Sequence, residues 1–309
     1  MADSDDNDWI AWGIPVIIIG FLLIVLCCLL ILRWYVRRPM YKGKARIDGK
    51  TVVITGGNTG IGKETARELA KRGGKVVILC RNVVKGNVAA EEIQRETNSP
   101  VDVYELDLTD LQSIRKCAED LKETQPKIDI LINNAEYGNL LLFTGVMMTP
   151  KLETKDGLEM QIGTNHFGHF LLTLLLLNNI KAAPPSRIIN VSSLAHEQGK
   201  MRWHDIHWKK KYSSIGAYSQ SKLANVLFTK SLGEKLKGTG VTTYALHPGV
   251  VSTELTRHIK STFGSCFNFL MNFIMRFFSK TPLQGAQTSI YCAVDEALQM
   301  ETGKYYSGL

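Results

Sequence analysis

Beyond residue 47 this chain repeats one pattern: a short, apolar, mostly β-branched run, then a longer amphipathic stretch. The runs are 51–55 (TVVIT), 75–80 (KVVILC), 101–106, 128–132 (IDILI), 187–191 (RIINV) and 241–246. Continuous rather than alternating apolar character is what strands need when both faces of a parallel sheet are covered. Between the runs, 63–72, 85–97, 110–123, 157–178 and 218–237 have helical spacing. The alternation predicts an α/β fold: one doubly wound parallel sheet with helices on both faces, forming a single domain over residues 47–309. No internal repeat is visible.

The N-terminus obeys a different rule. From Trp9 to Leu32 there is no charged residue. As a helix, residues 14–32 would span about 29 Å, enough for a bilayer core. A cleaved signal peptide needs a basic leader and a small-residue cleavage site. Here the leader is acidic (Asp3, Asp5, Asp6, Asp8), and Arg33, Trp34 and Tyr35 follow the run. The expected layout is an acidic luminal tail over 1–13, a transmembrane anchor over 14–32 and a basic juxtamembrane segment over 33–46. The basic residues are Arg33, Arg37, Arg38, Lys42, Lys44 and Arg46, which place the remainder in the cytosol by the positive-inside rule. Trp9 and Trp12 at one end, and Trp34 and Tyr35 at the other, suit aromatic belts.

Formal charge is +8, from 37 Lys+Arg and 29 Asp+Glu. The densest positive cluster is this juxtamembrane one, which suits anionic lipid. No nucleic-acid motif accompanies it, so membrane lipid is an expected partner and nucleic acid is not. Six cysteines without paired spacing exclude a disulfide scaffold and a zinc ribbon. Cys27 and Cys28 fall inside the span, as apolar side chains.

The first run leads directly into Thr55-Gly56-Gly57-Asn58-Thr59-Gly60-Ile61-Gly62 and then a helix. Glycines permit a tight turn and close backbone approach, and the helix N-terminus supplies N–H donors to a diphosphate. The spacing is G-x-x-x-G-x-G rather than the common G-x-G-x-x-G. The second run ends in Arg81, not in the acid that binds ribose hydroxyls in NAD sites; a guanidinium there suits a 2′-phosphate, hence NADP(H). Tyr218 and Lys222 lie four residues apart on one helix face, and a neighbouring ammonium lowers a phenol pKa toward the range of a proton-transfer catalyst. Asn190-Val191-Ser192-Ser193 ends the fifth run, where both serines can face a cofactor crevice. His166 and His169 lack a third ligand at usable spacing; packing is expected of them, and no metal.

These motifs, with Asp107-Leu108, Asn133-Asn134-Ala135, Asn165-His166-Phe167-Gly168-His169 and HPGVVST at 247–253, make residues 47–309 resemble a classical short-chain dehydrogenase/reductase, a Rossmann-type fold. RIINVSSLAH, YSQSKLANVLFTK and GVTTYALHPGVVSTEL are similar to the membrane-anchored retinol dehydrogenases. The resemblance implies four catalytic roles. Tyr218 is the general acid/base, Lys222 holds the nicotinamide ribose and lowers the tyrosine pKa, Ser193 polarises the substrate oxygen, and Asn165 positions a relay water. It also implies cofactor contacts at Gly56, Asn58, Thr59, Gly60, Ile61, Gly62, Asp107, Leu108, Asn133, Ala135, Pro248, Gly249, Val251 and Thr253.

The family continues Asn-Asn-Ala with Gly; here Glu136 follows Ala135, and Gly-Val-Met returns only at 145–147. Residues 136–144 (EYGNLLLFT) therefore read as a nine-residue insertion: either a splice variant or a loop that bulges away from the site. Residues 267–278 are dense in Phe, Met, Leu and Ile, and read either as a buried helix or as a greasy substrate lid at the membrane. The expected activity is hydride transfer between NADP(H) and a hydrophobic alcohol or aldehyde, retinol/retinal by resemblance. The alternatives are a steroid, polyprenoid or lipid-aldehyde reductase, or a catalytically impaired membrane scaffold. The expected location is the endoplasmic reticulum membrane, as a single-pass protein with a cytosolic domain. A homodimer through 157–178 and 218–237 is a family expectation.

Overall fold

Alternate side chains of the central strands enter two separate apolar layers, which explains why the strand sequences read as unbroken apolar runs. The computed structural model describes residues 13–36, 40–137, 151–251 and 279–308. Within these, β1 (Thr51–Thr55), β2 (Lys75–Cys80), β3 (Val101–Glu105), β4 (Ile130–Asn133), β5 (Ser186–Val191), β6 (Val241–His247) and β7 (Lys304–Ser307) form one sheet in the order β3-β2-β1-β4-β5-β6-β7. Every neighbouring pair is parallel. Val52, Ile54, Val76, Ile78, Ile130, Ile132 and Ile189 fill one layer; Val53, Val77, Leu79, Leu131 and Ile188 fill the other.

Helix α1 (Ile14–Val36) precedes the sheet. Its 18-residue core, Ile14–Ile31, has mean hydropathy 3.3 and no part of it is buried against the protein, so it is long and apolar enough to cross a membrane. The acidic tail, with Trp9 and Trp12, and the basic pair Arg37 and Arg38 lie outside the described residues.

Helices α2 (Gly60–Lys71) and α3 (Val83–Thr97) cover the first layer through Ala66, Leu69, Ala70 and Ile93. Helix α4 (Leu111–Thr124) covers the second through Ile114, Cys117, Ala118 and Leu121. Each buried aliphatic side chain such as Leu131 is worth about 2–5 kcal/mol against truncation to Ala. The strand order reverses between β1 and β4, and that switch point opens a crevice at their carboxyl ends.

Two regions differ from the sequence expectation. The 157–178 helix is broken into α5 (Met160–Ile162), a π turn over Gly163–Gly168, α6 (His169–Leu175) and, beyond it, α7 (Leu177–Lys181). The Asn165 carbonyl is drawn off by side chains, accepting from Asn225 Nδ2 (3.1 Å) and lying 3.1 Å from His169 Nδ1. Such competition for a carbonyl is a recognised cause of helix interruption. The second departure is β7, a half-buried edge strand of four residues with no apolar run to announce it.

Helix α8 (Ser214–Lys235) starts four residues earlier than the spacing suggested, capped by Ser213 accepting from Gly216 N. Short helices α9 (Pro282–Gly285) and α10 (Gln287–Val294) return to the first layer. The segment from Tyr41 is docked on the domain. Tyr41 N donates to Gln287 Oε1 (2.9 Å), its hydroxyl donates to Asp295 Oδ2 (2.7 Å), and Arg72 holds the carbonyls of Gly43 and Ala45.

Candidate active site

At one end of the crevice is the glycine turn after β1. Gly56 (φ 68°) and Gly60 (φ 56°) take left-handed conformations open to glycine. A Cβ on Gly62 would stand 2.3 Å from the Gly56 carbonyl oxygen, so only glycine lets α2 close on the turn. Thr59, the N-cap of α2, makes no side-chain cap, leaving that helix terminus to an outside acceptor. Asn58 is half-buried and Thr59 exposed. Ile61 meets Val251 across Gly285, where an added Cβ would be 3.2 Å from Ile61 and 2.5 Å from Val251. These residues fit a diphosphate by shape and by free N–H donors.

The turn is fastened to β4. Thr55 Oγ1 accepts from Asn134 N and Ala135 N (2.9 Å each), and Asn134 Nδ2 donates to the Thr55 carbonyl. With two donors already on that oxygen, the Thr55 hydroxyl proton points to His169 Nε2 (2.9 Å). Nδ1 of His169 then carries the proton and donates to the Asn165 carbonyl. Burial holds this imidazole neutral, its pKa pushed down to about 4. His166 lies 3.1 Å from Asn225 Oδ1, so both histidines serve packing and hydrogen bonding.

On the β2 side of the crevice, Arg81 is exposed just after β2 and has no hydrogen bond or ion pair among the described residues. Asp107 Oδ1 is engaged by Thr109 N and Oγ1, and Leu108 is buried. Asn133 donates to Thr173 Oγ1 (2.9 Å) and Asn190 Oδ1 (2.8 Å); its own Oδ1 is buried without a partner among the described residues. Pro248 is buried, and Gly249 (φ 88°) leaves room for Lys280, whose Cδ would be 2.9 Å from an added Cβ. Thr253 lies outside the described residues, as do the 267–278 segment and the insertion beyond Tyr137.

The other end of the crevice gathers Asn165, Ser193, Tyr218 and Lys222. Helix α8 presents Tyr218 and Lys222 one turn apart, with the Lys222 Nζ 5.5 Å from the phenol ring centre. Ser193 follows β5 beside the Tyr218 hydroxyl, where it works to lower the phenol pKa. The two serines part company here: Ser192 is buried, donates to the Lys222 carbonyl (2.8 Å) and does not face the crevice. Lys222 is 1% exposed, and Glu136 Oε2 sits 2.7 Å from its Nζ. The same oxygen accepts from the Tyr218 hydroxyl at 3.4 Å.

This acid changes the electrostatics expected from the Tyr-Lys spacing. Burial first, and then the Glu136 carboxylate, push the Tyr218 pKa well above its usual value, with the Ser193 hydrogen bond working the other way. Lys222 is held by a counter-ion, and the lowering expected of its charge is offset. Asn165 is similarly engaged: its Oδ1 accepts from Tyr137 N (2.6 Å), and its Nδ2 donates to the Tyr137 carbonyl (2.8 Å) and to Ser221 Oγ (3.1 Å). Sequence reasoning singled out Glu136 as a departure from pattern. It had no signal for a contact between residues 82 and 86 positions apart, nor for Lys280 beneath Gly249.

Comparison with known proteins places the chain in a family. The chain is 48% identical over 299 residues to retinol dehydrogenase 12 of Bos taurus, covering 94% of this chain and 89% of that protein. It is 52% identical over 266 residues to retinol dehydrogenase 12 of Homo sapiens, covering 85% and 78%. A solved structure of an uncharacterized protein from Mycobacterium Paratuberculosis superposes with a TM-score of 0.64 at 36% identity, over 85% of this chain and 82% of that one. The family model for short chain dehydrogenases matches residues 50–263. Sheet order, glycine turn and sequence similarity converge, and the chain belongs to the short chain dehydrogenase family of oxidoreductases.

Proposed function

We propose that this chain is a membrane-anchored reductase or dehydrogenase that moves a hydride between NADP(H) and a hydrophobic alcohol or aldehyde, the pair being retinol, which its relatives' names carry, and its aldehyde retinal. The observation that carries the reading is the convergence of Tyr218, Ser193 and Lys222 on one end of a crevice whose other end is an uncapped glycine turn.

In this reading Gly56, Asn58, Thr59, Gly60, Ile61 and Gly62 hold the diphosphate on the N-terminus of α2. Arg81, exposed and unpaired among the described residues, takes a 2′-phosphate. Asp107, Leu108, Asn133 and Ala135 border the adenosine side, and Pro248, Gly249, Val251 and Thr253 the nicotinamide side. The nicotinamide, when bound, supplies the hydride acceptor or donor. Ser193 donates a hydrogen bond to the reacting oxygen, Tyr218 gives it a proton or takes one, and Asn165 positions a water that relays the proton to and from Lys222. Helix α1 anchors the chain in the endoplasmic reticulum membrane with the domain in the cytosol, where lipid is both partner and source of substrate. Exposed Phe170, Leu174 and Leu227 on α6 and α8 offer an apolar face for a homodimer.

The test is NADPH oxidation with all-trans-retinal by the full chain in lipid vesicles, wild type against Tyr218→Phe. A loss of about 10²–10⁴-fold is expected, the scale of general acid–base catalysis. Turnover unaffected by the substitution overturns the mechanism. A second reading, a catalytically impaired membrane scaffold, is favoured by one observation, the Glu136 carboxylate on Lys222. Wild-type protein inert toward retinal and a steroid panel would establish it.

A further inference from the structure

We propose that Glu136 is a built-in competitor of the nicotinamide ribose: its carboxylate occupies the Lys222 ammonium and the Tyr218 hydroxyl and must swing out before the cofactor can seat.

The carboxylate is delivered there by a backbone pinned on both sides. On one side Asn134 N and Ala135 N are bonded to Thr55 Oγ1, so the chain leaving β4 is fixed to the glycine turn. On the other, both backbone groups of Tyr137 are clamped by the Asn165 carboxamide, at 2.6 and 2.8 Å. Glu136 is the residue between the two pins. Its Oε2 lies 2.7 Å from Lys222 Nζ, and the same oxygen faces the Tyr218 hydroxyl.

The pair is unequal in burial. The Lys222 side chain is 1% exposed, while that of Glu136 is 34% exposed. A buried ammonium without a partner is costly, so the lysine requires an acceptor at all times. A half-exposed carboxylate can be replaced, because water solvates it once released. Hydroxyls of a ribose, brought in on a diphosphate already held at α2, are acceptors of the kind Lys222 needs. The exchange therefore swaps one hydrogen-bond acceptor for another, and its cost falls on cofactor affinity. The other titratable groups that sense the Lys222 charge are His169 at the start of α6 and His247 at the end of β6, both held neutral by burial. Glu136 is thus the carboxylate among the described residues that touches the pair.

This inference rests on the nicotinamide reading above, and two measurements separate them. The first needs no cofactor: the full-length protein carries [¹³Cζ]tyrosine, with Tyr218→Phe assigning the Tyr218 resonance among ten tyrosines. Glu136→Gln is expected to move the Tyr218 titration to lower pH. The second is equilibrium NADPH binding by fluorescence, where Glu136→Gln and Glu136→Gly are expected to tighten the Kd about tenfold, the scale of one charge-assisted hydrogen bond. An unmoved phenol titration overturns the contact. A moved titration with equal NADPH affinity in wild type and both variants overturns the competition. A moved titration with no NADPH binding by any of the proteins overturns the nicotinamide reading, and the competitor role with it.

Discussion

The two ends of the crevice are built from neighbouring loops of one sheet, yet they stand in opposite conditions. At the α2 end the backbone is open: glycines at positive φ, no side-chain cap, and donors aimed outward. At the α8 end the site's own side chains are engaged by the protein, with Lys222 and Tyr218 on Glu136 and Asn165 on Tyr137. The difference teaches where a mononucleotide-binding fold stores its selectivity. A helix terminus accepts any anion of suitable shape, whereas a side-chain cluster can be satisfied by an internal rival.

The contrast can be broken most severely at the open end. Gly62→Ala places a methyl group 2.3 Å from the Gly56 carbonyl oxygen and 2.6 Å from Asn134 Nδ2. Overpacking against backbone should cost about 3 kcal/mol. Urea unfolding should register that loss, and NADPH titration a matching fall in affinity.

His169, which ties the two ends together through Thr55 and Asn165, comes next. Its pKa is pushed down to about 4 from 6.5, so the unfolded chain takes up a proton that the folded one refuses. The contribution is whole above about pH 6.5 and is lost as pH falls toward 4; between pH 7 and pH 5 it amounts to about 2 kcal/mol. His247, pushed down to about 4 chiefly by burial and then by Lys280, adds a slope of the same sign. Urea unfolding at both pH values should show His169→Gln losing its share of that slope.

Arg81→Ala sharpens the comparison at the adenosine side. A charge-assisted contact to a 2′-phosphate is worth about tenfold in affinity, so NADPH binding should weaken by that factor with NADH binding unchanged. The smallest effect is expected one residue on. Asn82 caps α3 by accepting from Lys85 N, and Asn82→Ala should cost about 1 kcal/mol in thermal unfolding without altering cofactor preference.

Much of this was legible in the sequence because it rests on local periodicity. Six strands could be located from β-branched runs, since both faces of a covered parallel sheet demand them. The glycine turn and the Tyr218–Lys222 pair could be read from spacing together with the strand–helix context around them, because each is contained within one turn or one helix. What escaped depended on distant partners. The π turn at Asn165 arises from carbonyl competition with Asn225, sixty residues away. β7 is an edge strand whose neighbour, rather than its composition, makes it a strand. The separation of Ser192 from Ser193 follows from the period-two alternation of β5, which sends one hydroxyl toward α8 and the next toward the crevice. Glu136 was visible as an anomaly, but where its carboxylate lies is fixed by the two pins around it.

The docking of Tyr41 on Gln287 and Asp295 sets a leash. Only residues 37–40 separate that mooring from the end of α1, and five fully extended steps reach about 18 Å. With α1 across a bilayer, the catalytic domain cannot leave the lipid surface by more than its own tether. Encounter with a molecule dissolved in the leaflet then becomes a search in two dimensions, governed by molecules per unit of membrane area rather than by their vanishing solubility in water.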